Sequence, residues 1–199
     1  MASAGERIEN PVTGERLAFV STAADTGGEL LAIEVQMRAG GRIAAAHLHP
    51  RQEERFAVQS GTIRLRVGGK ERSASAGEEV VVAAGVPHSW WNEAAVEATV
   101  RVEFRPALDT ETFFETFFGL ARDGRTNRKG MPNLLQLFVL VADLGDSCPT
   151  LPKPPHQVQR AVARALAPIG RLIGYRAVYA RHSPNHPSLS GQDRSGTGG

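Results

Sequence analysis

The chain has 199 residues, a formal net charge of +2, six histidines and a single cysteine, and 41% of its residues are hydrophobic. One cysteine cannot close a disulfide within the chain, which excludes a disulfide-stapled secreted scaffold. A charge of +2 over this length is too small for a nucleic-acid-binding surface. The first residues lack an apolar signal segment, and the longest apolar run, 134–144, is too short to cross about 30 Å of hydrocarbon. We therefore expect a cytoplasmic protein without a transmembrane segment.

The first half of the chain alternates apolar and polar residues with the period of half-buried strands. Glycines that can form turns separate these stretches, with pairs at Gly40-Gly41 and Gly68-Gly69. The alternating apolar positions include Leu31, Ile33, Val35, Met37, Ile63, Leu65, Val67, Ala98, Val100, Val102 and Phe104. This pattern predicts a mainly β domain over residues 1–108, built as an antiparallel sandwich or barrel.

After this region the period changes to that of helices. A phenylalanine-rich stretch, which Thr110 can cap, is followed by a helix from near Pro132 to near Gly145 and by a third from about His156 to Ile173. In the third helix an arginine face lies opposite an apolar row made of Val158, Val162, Leu166, Ile169 and Ile173. We predict a helical extension over 109–180 and a disordered tail over 181–199.

The helical extension has two interpretations. Its apolar faces can pack on the β domain or across a homodimer interface, with the arginines in solvent. Alternatively, Arg160, Arg164 and Arg171 make the third helix a basic amphipathic surface for an anionic membrane or an acidic partner. We expect the first of these, and with it a homodimer.

The candidate chemistry lies in two short segments of the β half. His47 and His49 are two residues apart, so in an extended strand both imidazoles point to the same face. Glu54 follows after a short turn, and a carboxylate near two imidazoles is a usual transition-metal site. In the second segment Gly85 turns the chain, after which His88 and Trp90 share a face. If that face points inward, His88 supplies a third imidazole and Trp90 lines the space beside it, while Trp91 points outward.

The spacing within the two segments resembles the two signature motifs of the cupin superfamily. The first reads Gly41, five residues, His47-x-His49, four residues, Glu54, six residues and Gly61. The second reads Gly77, five residues, Ala83-x-Gly85, two residues, His88, three residues and Asn92, with alanine in place of the usual proline. The resemblance covers about residues 15–106. It implies a double-stranded β-helix, the jelly-roll cupin barrel, followed here by the helical extension. It also implies that His47, His49, Glu54 and His88 are the metal ligands.

Three imidazoles and one carboxylate would hold one divalent transition metal per chain, and iron, manganese, nickel, copper and zinc are not distinguished by such ligands. The inward residues are nearly all apolar, which predicts an apolar or aromatic small-molecule partner, with Phe56 and Trp90 in its pocket. The resemblance to quercetinase-type cupins implies a dioxygenase-like oxidoreductase in which Glu54 also serves as a catalytic base. The alternatives are a non-redox metal-dependent cyclase or isomerase and a non-enzymatic ligand-binding or sensing cupin.

Overall fold

The computed structural model describes residues 2–42 and 46–183. Within these residues the β half contains nine strands. They are β1 (Arg7–Asn10), β2 (Glu15–Ser21), β3 (Leu31–Met37), β4 (Glu53–Ser60), β5 (Thr62–Val67), β6 (Lys70–Ser75), β7 (Glu79–Val82), β8 (His88–Trp91) and β9 (Ala98–Arg105).

The strands form two antiparallel sheets. The larger sheet has the order β1-β2-β3-β9-β4-β7, and the smaller one has the order β6-β5-β8. Residues from both sheets meet in one core, in which Phe56 and Val100 of the larger sheet lie with Leu65 and Trp90 of the smaller. The crossovers between distant strands and the two facing sheets define a double-stranded β-helix, so the predicted fold class is confirmed.

The alternation of the sequence explains which face of each strand is buried. In β9 the side chains of Ala98, Val100, Val102 and Phe104 are at most 2% exposed, and the residues between them face outward. Trp91 points outward as expected, opposite Arg64 in the pairing of β8 with β5 and outside the core, but it is only 6% exposed. The guanidinium groups of Arg42 and Arg66 lie 4.9 Å and 5.9 Å from the centre of its ring and cover it by cation–π contact.

Up to residue 183, three α-helices follow the strands, and a 3-10 turn, Gly145–Ser147, lies between the second and the third. They are α1 (Thr110–Arg122), α2 (Leu134–Leu144) and α3 (His156–Leu172). Asn133 caps α2, since its side chain accepts a hydrogen bond from the backbone N–H of Gln136. In the described parts of the chain no helix is long and apolar enough to cross a membrane.

The predicted capping role of Thr110 is wrong, because Asp109 occupies the N-cap position of α1 and makes no side-chain cap hydrogen bond. Thr110 is the first helical residue instead. Its hydroxyl oxygen accepts a hydrogen bond of 2.8 Å from the amide of Gln52, which ties the start of α1 to the β domain. The phenylalanine face of α1 completes this contact, with Phe118 buried in the core of the β domain and Phe114 and Phe117 packed at its margin.

Helix α3 packs by a different side from the one that its pattern predicts. The buried residues are Ala163, Ala167 and Gly170, which face α2. A methyl group on Gly170 would lie 2.7 Å from Val139 of α2, so the two helix backbones are in close approach. The predicted apolar row is largely exposed: Val158, Val162, Ile169 and Ile173 have exposed fractions between 42% and 58%.

The arginines of α3 lie beside the buried stripe rather than opposite it. Arg160 donates a hydrogen bond of 2.7 Å to Asp146, and Arg171 forms an ion pair with Asp143. The small side chains of the buried stripe let α3 approach α2 closely. Because of this approach, Arg160 and Arg171 reach Asp146 and Asp143, which lie just after the end of α2 and at its end. Close approach therefore decides the buried side of α3, not total hydrophobicity.

Three residues of the predicted disordered tail, 181–183, lie within the described part of the chain. His182 and Ser183 are at most 5% exposed. The His182 ring packs on Gly119 of α1, where a Cβ atom would lie 2.3 Å from the ring, and its Nε2 lies 2.9 Å from a carboxylate oxygen of Asp123. The rest of the predicted tail, 184–199, lies outside the described residues. The division into separate domains at 1–108 and 109–180 stays a prediction.

Candidate metal centre

The backbone places His47 and His88 side by side. The N–H of His47 donates to the carbonyl of His88 at 2.9 Å, and the N–H of His88 donates to the carbonyl of His47 at 2.8 Å. His88 opens β8, and Glu54 is the second residue of the facing strand β4. The antiparallel β-bridge between His47 and His88 and the strand β4 of the opposite sheet thus place their side chains near one point inside the β domain.

The four predicted ligands form a compact cluster. One ligand atom from each of His47, His49, Glu54 and His88 lies within 4.8 Å of the others. A carboxylate oxygen of Glu54, Oε2, lies 2.7 Å from Nε2 of His88 and 3.4 Å from Nε2 of His49. His49, Glu54 and His88 are at most 6% exposed, and His47 is half-buried.

Hydrogen bonds behind the cluster fix which imidazole nitrogens face its centre. The Nδ1 atom of His88 lies 3.0 Å from the carbonyl of Val86, which can only accept, so Nδ1 carries the proton. The Nδ1 atom of His49 lies 3.3 Å from the amide oxygen of Gln52 and donates to it in the same way. In the neutral form of each ring, Nε2 therefore carries the lone pair and faces Glu54, as in ligating histidines.

Gln52 is the residue of this site that the sequence analysis did not single out. Its amide nitrogen donates to the carbonyls of Pro106 and Ala107 at 2.9 Å and 3.1 Å and to the hydroxyl of Thr110 at 2.8 Å. These bonds orient the amide so that its oxygen faces His49. In the sequence, the position of Gln52 between the predicted ligands His49 and Glu54 was the available signal. In the fold, Gln52 is only 1% exposed.

Burial and mutual contact shift the pKa values of the cluster residues in different directions. Burial lowers the pKa of His49, and the Glu54 carboxylate offsets only part of this effect. Burial by itself would raise the pKa of Glu54, but the surrounding histidines outweigh it and hold that pKa below its ordinary value. Burial also acts to lower the pKa of His88, yet the hydrogen bond and the charge of Glu54 outweigh burial and raise it.

The donor chemistry fits one divalent transition metal ion. Two Nε2 lone pairs and a carboxylate oxygen would face each other without a hydrogen between them, an arrangement that a proton or a cation must bridge. Imidazole nitrogen and carboxylate oxygen are ligands that several first-row ions accept, so the set does not select among them.

A cavity of about 480 Å³ opens from the cluster towards the helices. His47, His49 and Glu54 form its inner end together with Trp90 and Phe104. Its outer wall comes from the helical extension and is mostly apolar: Phe113, Phe114, Phe117, Phe118, Leu134, Leu137, Phe138, Val141, Thr150, Leu151 and Val162. Three charged side chains, those of Glu15, Arg42 and Lys129, also line the cavity. The sequence analysis did not foresee that the extension would supply this wall.

Trp90 lines the cavity in the predicted position, whereas Phe56 does not. Phe56 is completely buried and packs behind the site, with its ring centre 5.6 Å from that of Trp90 and 6.1 Å from that of His88. It supports these two rings from the core side. The expectation that Phe56 contacts a ligand in the pocket is therefore corrected.

A jelly roll with three histidines and one glutamate around a single point is a candidate site for one metal ion. Residues 33–102 match the cupin domain family, and these residues include all four clustered side chains. The chain thus contains a cupin domain of the metal-binding type, followed by a helical extension.

Among characterised relatives, the chain is similar to the probable oxidoreductase virH of Hypocrea virens (strain Gv29-8 / FGSC 10586). The two are 27% identical over 149 residues, which is 68% of this chain and 66% of the relative. The chain thus spans slightly less than two thirds of the length of that relative.

Solved structures similar to this chain include a predicted oxalate decarboxylase from Thermotoga maritima, with 18% identity, a TM-score of 0.46 and coverage of 51% of this chain and 90% of that one. Another is an RmlC-like cupin from Shewanella frigidimarina NCIMB 400, with 20% identity, a TM-score of 0.45 and coverage of 54% and 90%.

Proposed function

We propose that the protein is a small-molecule oxidoreductase of the dioxygenase kind, which binds one divalent metal ion and acts on an apolar or aromatic substrate. The observation that carries this proposal is the buried three-histidine, one-glutamate cluster at the inner end of an apolar cavity. Three of the potential ligand residues border a space that can hold a small organic molecule.

His47, His49, Glu54 and His88 would hold the metal. A redox-active ion bound there would supply oxygen chemistry and would polarise an oxygen atom of the substrate. Glu54 serves as the base: its carboxylate is held in the ionised form by the neighbouring histidines, so it can accept the proton of a substrate hydroxyl. Burial of the cluster excludes bulk water from this transfer.

The cavity wall supports an apolar or aromatic substrate. Phenylalanines of α1 and apolar residues of α2 surround most of it, and ring faces of this kind stack on aromatic ligands. A volume of about 480 Å³ lies within the range of small-molecule sites. The name of the Hypocrea virens relative supports the oxidoreductase class, since it is called a probable oxidoreductase.

The proposal extends to a cytoplasmic homodimer. Apolar residues of α3, among them Leu172 at 87% exposed, are left uncovered by the described residues and support self-association. Sedimentation of the purified protein tests the dimer directly, and a monomer at micromolar concentration would contradict it.

Oxygen uptake tests the proposed activity. Protein loaded separately with iron, manganese, nickel, copper or zinc is incubated with a panel of aromatic and enol compounds in an oxygen electrode. We expect oxygen consumption matched to substrate loss with at least one metal, and a decrease of at least about 100-fold in Glu54→Gln. Glu53→Gln is the matched control, because Glu53 adjoins Glu54 on the other face of β4 and is half-buried.

The other outcomes identify the alternatives. Conversion of a compound under nitrogen would contradict the oxidoreductase and favour a cyclase or isomerase. Tight binding without conversion under either atmosphere would contradict an enzyme and favour a ligand-binding cupin.

A further inference from the structure

One buried hydroxyl group in the cavity wall, that of Thr150, lacks a hydrogen-bond partner among the described residues. Thr150 is 4% exposed and lies in the cavity wall. Its Oγ1 atom has no hydrogen-bond partner within residues 2–42 and 46–183. Buried polar atoms are nearly always paired in native proteins, so an unpaired one in a ligand cavity points to a group that pairs with it on binding.

The backbone fixes Thr150 in relation to the metal ligands. Its N–H donates to the carbonyl of Leu48 at 3.0 Å, and its carbonyl accepts from the N–H of Leu48 at 2.9 Å. Leu48 lies between His47 and His49. Both backbone groups of Thr150 are used in this bridge, so its hydroxyl is the polar group of this residue that is left without a partner among the described residues. The bridge to Leu48 sets the position of that hydroxyl.

The other polar side chains of the cavity lining have partners or reach solvent. The Thr13 hydroxyl donates to the Glu15 carboxylate, and Arg42 and Lys129 are exposed. Thr110 and Gln159 are also hydrogen-bonded. The Thr110 hydroxyl accepts from Gln52. The Gln159 amide donates to the carbonyls of Leu151 and Pro154 and accepts from the Leu151 N–H. Neither leaves an orphaned atom within the described parts of the chain.

We infer that Thr150 is a specificity-determining residue, whose hydroxyl forms a hydrogen bond with a hydroxyl or carbonyl oxygen of an otherwise apolar ligand. This inference rests on the proposed apolar and aromatic substrate class and narrows it to oxygen-bearing aromatic compounds. It also gives the helical extension a role in selection, since Thr150 belongs to the connector between α2 and α3.

Binding of naphthalene and 2-naphthol tests the inference, because the two probes differ by one hydroxyl. Their dissociation constants are measured by displacement of Nile red from chelator-treated, metal-free protein, so that no metal can hold the naphthol oxygen. The measured quantity is the ratio of the naphthalene constant to the naphthol constant. We expect Thr150→Val to lower this ratio about 2- to 10-fold, the effect of one hydrogen bond.

Two variants serve as controls. Thr126→Val removes a hydroxyl that is also unpaired but lies outside the cavity, and it should leave the ratio unchanged. Thr150→Ser retains the hydroxyl and should retain the preference. Thr150→Val should melt no lower than the wild type without ligand, because valine has the same shape and removes an unpaired polar atom.

The outcomes separate this inference from the proposed function. Naphthalene and naphthol binding with an unchanged ratio in Thr150→Val would overturn the role of Thr150 alone. Failure of the wild type to bind either probe would overturn both the proposed apolar substrate class and the role of Thr150.

Discussion

Replacement of Gln52 by methionine tests whether the hydrogen bonds behind the histidines shape the metal site. Methionine keeps the length of the side chain but cannot donate to Pro106, Ala107 or Thr110, and it cannot accept from His49. A hydrogen bond contributes about 0.5–1.5 kcal/mol net to stability. The four contacts of Gln52 therefore give a loss of roughly 2–4 kcal/mol in the free energy of unfolding. The upper limit is below the full sum because the amide shares its two hydrogens among three acceptors.

The metal affinity should fall as well, by about 10- to 100-fold, since His49 loses the partner that fixes its tautomer and ring orientation. Urea unfolding measures the first effect, and competition for zinc with a coloured chelator measures the second. Gln136→Met is the matched control. Gln136 is equally buried and bonds to the carbonyl of Arg176 and the hydroxyl of Tyr179, far from the cluster in sequence and outside the cavity wall.

We expect Gln136→Met to lose about 1–3 kcal/mol of stability and no metal affinity. If Gln52→Met bound zinc as tightly as the wild type while losing stability like the control, the tautomer argument would be refuted.

Three further substitutions test the helical extension. Gly119→Ala should lower the free energy of unfolding by about 1–3 kcal/mol, because the new methyl overlaps the His182 ring; a more stable variant, as expected for alanine in an unobstructed helix, would show that the ring does not dock there. Gly170→Val should lower the free energy of unfolding by a similar amount, because the larger side chain separates α3 from α2. Ile169→Ser, at an exposed position of the same helix, should change it by less than about 0.5 kcal/mol. Equal losses in the two variants would contradict the assigned buried side of α3. Phe117→Ala should enlarge the cavity and lower the free energy of unfolding by about 1–3 kcal/mol, as measured by thermal unfolding. It should also improve binding of aromatic probes larger than naphthalene. Weaker binding of every probe would contradict the position of Phe117 in the cavity wall.

The sequence predicts the β domain well because its signals are local and redundant. Strict alternation over β9 can bury only one face, and a one-residue shift would expose all four apolar side chains. The spacing of His47, His49, Glu54 and His88 also has local meaning, since each segment sets the direction of its own side chains. The convergence of the two segments came from the family resemblance rather than from the pattern.

The parts that the sequence misses depend on contacts between distant segments. Thr150 follows Leu48 by 102 residues, and no local pattern signals that the two backbones pair. Gln52 is an ordinary polar residue until the carbonyls after β9 surround its amide. In α3 a hydrophobicity wheel favours large side chains, yet close approach to α2 selects Ala163, Ala167 and Gly170 as the buried side.

Metal content measured by mass spectrometry on the purified full chain, after growth in medium supplemented with first-row metals, tests the central claim most directly. The account predicts about one divalent ion per chain in the wild type and in Glu53→Gln, and loss of that ion in His88→Ala and Glu54→Gln. A wild-type protein without bound metal, or a His88→Ala protein that retains a full equivalent, would contradict it.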